Sequence, residues 1–381
     1  MAPQRPQGAD AFPKPQAAPE GKAPSVESSG TLRNADPAPL YAALDLGTNS
    51  CRMLIARPRG SQFHVVDSFS KTVQLGVGLE SSGRLSRASM GRTVQALRIC
   101  QKKLESHGVA RMRLVATEAC RRAANSREFM RSVRRETGLT LEIIAPEEEA
   151  RLAVVSCAPL VETRTEQLLV VDIGGGSTEL VWVDLRPVAP ALRPRALMRL
   201  SAGFHLPGEG PQARVVDWIS VPLGVATLRE QFGDVEDDAA RFALMSWFFE
   251  EQLANFTPYQ GQQAREGFQI IGTSGTITTV AASFLGLRRY DRTKVDGLTM
   301  TSGQIDSVIR DYLQLGPEGR RTDPRIGRDR HALIMSGAAI LQTLMRIWPT
   351  DRLSVADRGL REGLLYAQMS ADGVLQDGPA R

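Results

Sequence analysis

From Tyr41 onward the chain alternates short apolar runs with amphipathic stretches, and the two textures predict strands and helices in turn. YAALDLG reads as a strand ending at a turn, and CRMLIARP and QFHVVDSFS as two further strands. Apolar residues at helical spacing predict an amphipathic helix from Ser86 to His107. RMRLVAT (111–117) is a strand, Ser126 to Thr137 a basic helix, and LEIIA (141–145) another strand. A helix begins at Pro146 with three glutamates in its first turn, where the helix dipole favours anions.

The pattern then restarts. EQLLVVDIGGG (166–176) is a strand running into glycines, and STELVWVD is its hairpin partner. Three strands followed by alternating helix and strand, written twice, predict an α/β protein of two similar lobes facing one another. Lobe I is expected over residues 41–163 and lobe II over 164–357, with a closing helix (358–370) returning to lobe I. Further helices are expected at 237–256, 274–285, 303–314 and 331–347, with a short strand LSVAD at 353–357. Residues 185–217, rich in Pro and Arg, read as a long surface excursion. Residues 1–40 hold almost no large apolar side chains, so they cannot offset their ordering entropy and read as a disordered tail.

Composition narrows the class. With 381 residues, 42% hydrophobic and 23% charged, the chain is an ordinary globular sequence. It holds no apolar run of about 20 residues that could cross a bilayer, and it opens without the layout of a secretory signal. Four scattered cysteines (Cys51, Cys100, Cys120, Cys157) form no C-x-x-C pair, which argues against a zinc site and for a reducing, cytoplasmic setting. The net charge of +5 comes mostly from arginine. It suits an anionic ligand without specifying one.

Three glycine and hydroxyl turns carry the chemistry. The first is D-L-G-T-N-S, Asp45 to Ser50, whose N–H groups and hydroxyls can meet phosphate oxygens. The second is D-I-G-G-G-S-T-E, Asp172 to Glu179. Its Gly174, Gly175 and Gly176 lose much backbone entropy on folding, which makes sense where the backbone must approach a ligand closely. Ser177 and Thr178 add hydroxyls, and Asp172 suits a hydrated Mg²⁺, which binds through one or two carboxylates plus phosphate oxygens. Both loops share the plan D-x-G followed by hydroxyl residues, one at the start of each lobe. The third is I-I-G-T-S-G-T (270–276), where Thr273 and Ser274 precede a helix N-terminus that attracts anions. No G-x-x-x-x-G-K-[ST] occurs, which excludes a P-loop, and G-V-G-L-E-S (76–81) only half matches a dinucleotide fingerprint.

These segments, with A-T-E-A-C-R-R-A-A-N (116–125), E-E-E-A-R-L (147–152) and A-D-R-G-L-R-E-G (356–363), resemble the Ppx/GppA group of exopolyphosphatases and guanosine pentaphosphate phosphatases from about Tyr41 to Tyr366. The resemblance implies two ribonuclease-H-like lobes of the sugar kinase–Hsp70–actin superfamily with an active-site cleft between them. It implies Mg²⁺-dependent removal of terminal orthophosphate from polyphosphate, or hydrolysis of guanosine pentaphosphate. Glu118 and Glu149 match catalytic carboxylates, with Glu149 or its neighbour Glu148 orienting and deprotonating the attacking water. Gly47, Thr48, Asn49 and Ser50 would clamp the phosphoryl group against Gly174–Thr178, with Asp45, Asp172 and Glu118 placing Mg²⁺. Arg52, Arg121 and Arg330 match arginines that contact the polyanion, as guanidinium forks do. The group also implies a homodimer, with no nucleic-acid or membrane partner.

The match is imperfect. R-A-D-V-I reads Arg330-His331-Ala332-Leu333-Ile334, Asp296 stands where a histidine is frequent, and Gln74 where an arginine often occurs. The length fits the compact form of the group, without the extra C-terminal helical domain. A phosphotransferase of the same superfamily and a non-catalytic sensor are the competing classes. The intact glutamates argue against both, because a kinase must exclude the water that these residues would activate.

Overall fold

The computed structural model describes residues 38–109, 111–205, 211–261, 266–327 and 330–375, so all but the last few residues of the expected tail lie outside it. Strand β1 (Tyr41–Leu46) is apolar except at Asp45, and such a strand must be covered on both faces. It pairs antiparallel with β2 (Ser50–Arg59), which turns into β3 (Gln62–Thr72), and parallel with β4 (Arg111–Ala116). The short β5 (Glu142–Ile143) completes the order β3-β2-β1-β4-β5.

A second sheet repeats the plan. β6 (Gln167–Ile173) pairs antiparallel with β7 (Thr178–Asp184), which pairs with β8 (Arg214–Val221). On its other side β6 runs parallel to β9 (Phe268–Thr273). The order is β10-β11-β9-β6-β7-β8, with β10 (Thr299–Met300) and β11 (Leu353–Ala356) at the far edge. Asp45 and Asp172 hold the same place, one residue before the end of the central strand of each sheet.

Helices α1 (Leu79–Ser82), α2 (Arg87–Ser106), α3 (Glu118–Arg122) and α4 (Ser126–Thr137) accompany the first sheet. Ser86 caps α2 by accepting the Ser89 N–H at 3.1 Å. Helix α5 (Pro146–Cys157) opens with proline at its first turn and then buries every residue from Glu149 to Cys157 except Arg151. A helix apolar nearly all round has to be enclosed, and α5 packs on β6, β7, β8 and β9. The second sheet carries α6 (Arg193–Arg199), α7 (Val225–Gln231), α8 (Asp238–Glu251), α9 (Thr257–Gly261), α10 (Gly275–Phe284), α11 (Arg292–Val295), α12 (Ser302–Thr322) and α13 (Ile334–Ile347). α12 kinks at Gly316, whose φ of 64° precedes Pro317. The last helix, α14 (Leu360–Ala371), packs on α5, β1 and β2, and the Tyr41 hydroxyl donates to Asp372 at 2.7 Å.

The described parts of residues 185–217 are not a loose excursion. Leu185, Val188, Leu197, Leu200 and Phe204 are buried in one cluster with α5 and the second sheet, α6 lies among them, and β8 begins at Arg214. The Pro- and Arg-rich composition hides a sparse set of apolar anchors, and burial of those anchors folds the segment onto the sheet. Helix α7 also falls outside the sequence reading. The expected strand over 141–145 shrinks to two residues, because only Val115 and Ala116 offer it partners.

Candidate active site

The first loop leaves β1 at Leu46 and closes when the Gly47 N–H donates to the Ser50 carbonyl at 2.9 Å. The second leaves β6 and closes by the same bond, from the Gly174 N–H to the Ser177 carbonyl, also at 2.9 Å. The carbonyls of both loops are engaged elsewhere. Those of Thr48 and Asn49 accept from the N–H groups of Val73, Gln74 and Gly76, and those of Gly174 and Gly175 from Val225 and Ala226. Asn49, Gly175 and Gly176 line the cavity, and a trans peptide sets each of their N–H groups opposite the engaged carbonyl that precedes it. Loop N–H groups left open in this way suit an anion.

The loops meet. A Cβ on Gly175 would lie 3.2 Å from the Asn49 Cβ, and one on Gly176 would lie 2.3 Å from the Thr48 Oγ1 and 3.0 Å from the Glu118 Cγ. A side chain at Gly176 would force the neighbouring groups to shift. The cavity beneath them measures about 330 Å³ and is lined by Asp45, Gly47, Thr48, Asn49, Ser50, Arg52, Glu118, Glu149, Asp172, Gly174, Gly175, Gly176, Ser177, Thr273, Ser274 and Arg330. Residues chosen from six separate stretches of sequence thus converge on one space.

Two hydroxyls there, Thr48 Oγ1 and Ser274 Oγ, are buried without a hydrogen-bond partner among the described residues. A buried polar group left unpaired costs free energy, so both suit a ligand oxygen. Ser274 also carries a φ of 113°, a conformation that side chains rarely adopt. The strain holds its hydroxyl at the N-terminus of α10. The Thr273 hydroxyl, by contrast, donates to the Arg358 carbonyl.

Glu118 opens α3 and Glu149 lies in the first turn of α5. Arg121 joins them: its Nε and an Nη donate to Glu118 Oε2 at 3.0 and 2.8 Å, and its other Nη to Glu149 Oε2 at 2.7 Å. That Nη also donates to the Ile144 carbonyl at 3.0 Å. Burial pushes the Glu149 carboxyl up to about 7, with Arg121 pulling the other way. Asp172 is likewise pushed up to about 7, by burial first and then by the Asp45 carboxylate. Asp45 is raised by burial against the pull of Arg52, its cross-strand partner. Both aspartates keep some surface open to the cavity while protein atoms crowd around them.

Three of the sequence-selected residues stay outside the cavity lining. Glu148 turns to Arg113 at 2.9 Å, the Thr178 hydroxyl donates to the Leu223 carbonyl at 2.7 Å, and Arg121 stands behind the two glutamates. Arg330 lines the cavity, but one of its Nη atoms is engaged by the Gly275 carbonyl at 2.9 Å and the Thr279 hydroxyl at 2.5 Å.

Other functional candidates escape a reading of the chain. Glu179 stands directly opposite Asp172 across the β6–β7 ladder, 2% exposed, and accepts from the Ser220 hydroxyl at 2.8 Å. Burial, then the charges of Glu149 and Asp172, hold its carboxyl well above the usual range. Its signal was the last letter of D-I-G-G-G-S-T-E. The A-D-R-G-L-R-E-G stretch brings Asp357, Arg358, Gly359 and Arg361 to the cavity. The unusual Asp296 has a definite task here, since its carboxylate takes Arg358 Nε and Nη at 3.1 and 2.9 Å.

Among the described residues no group of three or more His, Cys, Asp or Glu side chains could hold a metal ion. Asp45 and Asp172, each acidic, poorly hydrated and near the other, do fit a divalent cation shared with phosphate oxygens, the usual mode for Mg²⁺.

Paired hairpin sheets, each ending its central strand in an aspartate and a glycine-hydroxyl loop, define a two-lobed α/β protein of the actin-like superfamily. The chain belongs to the Ppx/GppA phosphatase family, whose profile matches residues 54–372. A guanosine-5'-triphosphate,3'-diphosphate pyrophosphatase of Aeromonas salmonicida is 30% identical over 335 residues, covering 86% of this chain and 59% of that protein. This chain therefore spans less than two thirds of that relative's length. The crystal structure of the Aquifex aeolicus family member is 30% identical, with a TM-score of 0.68 over 88% of this chain and 99% of that one. An exopolyphosphatase from Cytophaga hutchinsonii, 20% identical, shares the fold with a TM-score of 0.72 over 88% of this chain and 98% of that one. Among the described residues no helix is long and apolar enough to cross a membrane.

Proposed function

We propose that this protein hydrolyses the terminal phosphoanhydride bond of inorganic polyphosphate, releasing orthophosphate. The observation that carries the reading is the contact of the two loops over one cavity whose buried hydroxyls, Thr48 and Ser274, lack partners. The terminal phosphoryl group is held by the loop N–H groups and these hydroxyls. Glu149 accepts the proton of a water aligned with the phosphorus, and Arg121 fixes its carboxylate beside Glu118. The water oxygen forms a bond to phosphorus, the bridging P–O bond breaks, and the shortened chain leaves with the bridging oxygen. Asp45 and Asp172 would hold Mg²⁺, which when bound neutralises charge on the phosphate oxygens.

Guanosine pentaphosphate is the second substrate reading, favoured by the 30% identity to the Aeromonas salmonicida guanosine-5'-triphosphate,3'-diphosphate pyrophosphatase. The proposal carries with it a cytoplasmic homodimer, and four buried free thiols suit that reducing setting. Incubation with polyphosphates of graded length and, separately, with guanosine pentaphosphate, each with Mg²⁺, tests it through orthophosphate release. The substrate with the higher kcat/KM is the assigned one, and no release from either overturns the proposal.

A further inference from the structure

Four arginines line the cavity, Arg52, Arg330, Arg358 and Arg361, and they differ in what already occupies them. Arg358 is taken by the Asp296 carboxylate. Arg330 is anchored by the Gly275 carbonyl and the hydroxyls of Thr278 and Thr279. Arg52 and Arg361 have no hydrogen-bond partner among the described residues. The nearest carboxylate oxygen to Arg361 is Glu362 Oε1 at 3.9 Å, too far for a hydrogen bond, although the Arg361 side chain is only 17% exposed.

Glu362 is committed to another task. Its Oε2 accepts the Gly359 N–H at 3.0 Å and so caps α14, which fixes the first turn of the helix and the direction in which Arg361 leaves it. Arg52 projects from β2 beside Asp45. Arg52 and Arg361 line the same cavity, whose wall also carries the carboxylates of Asp45 and Asp357. Guanidinium donors left open at such a wall suit an anionic ligand that enters the cavity.

The terminal phosphoryl group has its own cradle in the two loops. We propose that Arg361, beside the Arg52 that the family resemblance already implies at the polyanion, grips the second phosphate of the substrate, the one that leaves with the bridging oxygen. This assignment rests on the phosphoanhydride reading above. A guanidinium pair matches the paired non-bridging oxygens of that phosphate and stabilises the charge it gains as the bond breaks. Orthophosphate, which has no second phosphate, makes no use of the pair.

Calorimetric titration of the full chain carrying Glu149→Gln, which blocks turnover, tests this with pyrophosphate and orthophosphate as probes. Adding Arg361→Ala weakens pyrophosphate binding about 10- to 100-fold and orthophosphate binding less than about threefold. Arg361→Lys recovers part of the pyrophosphate affinity, and Arg361→Gln serves the same comparison should the alanine protein fail to fold. Equal losses for both anions, or no loss for either, overturn the assignment. A parent protein that binds neither anion instead removes the phosphoanhydride reading, and this assignment with it.

Discussion

Thr48 and Gly176 belong to loops of different sheets, yet a methyl group on Gly176 would sit 2.3 Å from the Thr48 hydroxyl oxygen. The two loops form one cradle only because that methyl is missing. Gly176→Ala must push the loops apart or drive Thr48 and Glu118 aside. A shift near 1 Å at a phosphoryl site lowers turnover about 100-fold. Orthophosphate release from polyphosphate measures it, and a variant as active as the parent would show that the loops need not touch.

Glu148 and Glu149 are neighbours with opposite surroundings. Glu149 faces the cavity and Arg121, whereas Glu148 pairs with Arg113. Removing a general base typically costs 10²- to 10⁴-fold, so Glu149→Gln should lose on the order of that factor in kcat. Glu148→Gln should stay within about threefold of the parent, since its half-buried ion pair with Arg113 lies outside the cavity wall. Steady-state kinetics of both proteins separate the roles, and equal losses would count against Glu149 as the base.

The raised acids give a pH dependence of definite sign. Asp172 and Glu149 titrate near 7 in the folded protein, against about 4 in an unfolded chain. Between those values the folded state holds the extra protons. Their contribution to stability is therefore full below about pH 4 and is lost as pH rises through 7, by an amount on the order of a few kcal/mol. In metal-free protein, Asp172→Asn should flatten the fall in thermal stability between pH 5 and pH 8. Turnover moves the other way, rising through about pH 7 as Glu149 ionises. An asparagine variant with the parent's pH slope would sink this account.

Thr178 reads like a phosphate ligand and behaves as a brace. Its hydroxyl is fully buried and donates to the Leu223 carbonyl, tying β7 to the segment that leads into α7. Thr178→Val should therefore lower stability by about 1–3 kcal/mol, because the carbonyl is left unpaired. KM should change less than about twofold, since such a buried bond leaves the cavity wall in place. Urea unfolding and substrate titration check the two halves, and a large rise in KM without loss of stability would return Thr178 to the site.

Much of the architecture was legible in the residues themselves. β1 and β6 announce themselves as apolar runs ending in aspartate and glycine, because a strand buried on both faces tolerates little else. The helix from Pro146 and the amphipathic span after Ser86 follow from local capping and periodicity. The glycine loops were legible because their close approach to one another leaves little room for a side chain at Gly175 and Gly176. Residues 185–217 misled, since their apolar anchors are few and contact with α5 and the second sheet organises the described part of the segment.

What the tertiary structure alone decided is the direction of each polar side chain. Asp172 and Glu179 lie seven residues apart and become direct neighbours through hairpin register. Arg121, expected at the phosphate, turned instead to Glu118 and Glu149, and Arg361 came to the cavity from the last helix. Residue type and order determine what a side chain is able to bind. Which partner it meets is set by the packing of segments distant in sequence, because the strength of a charge or hydrogen bond depends on distance and burial that no local pattern contains.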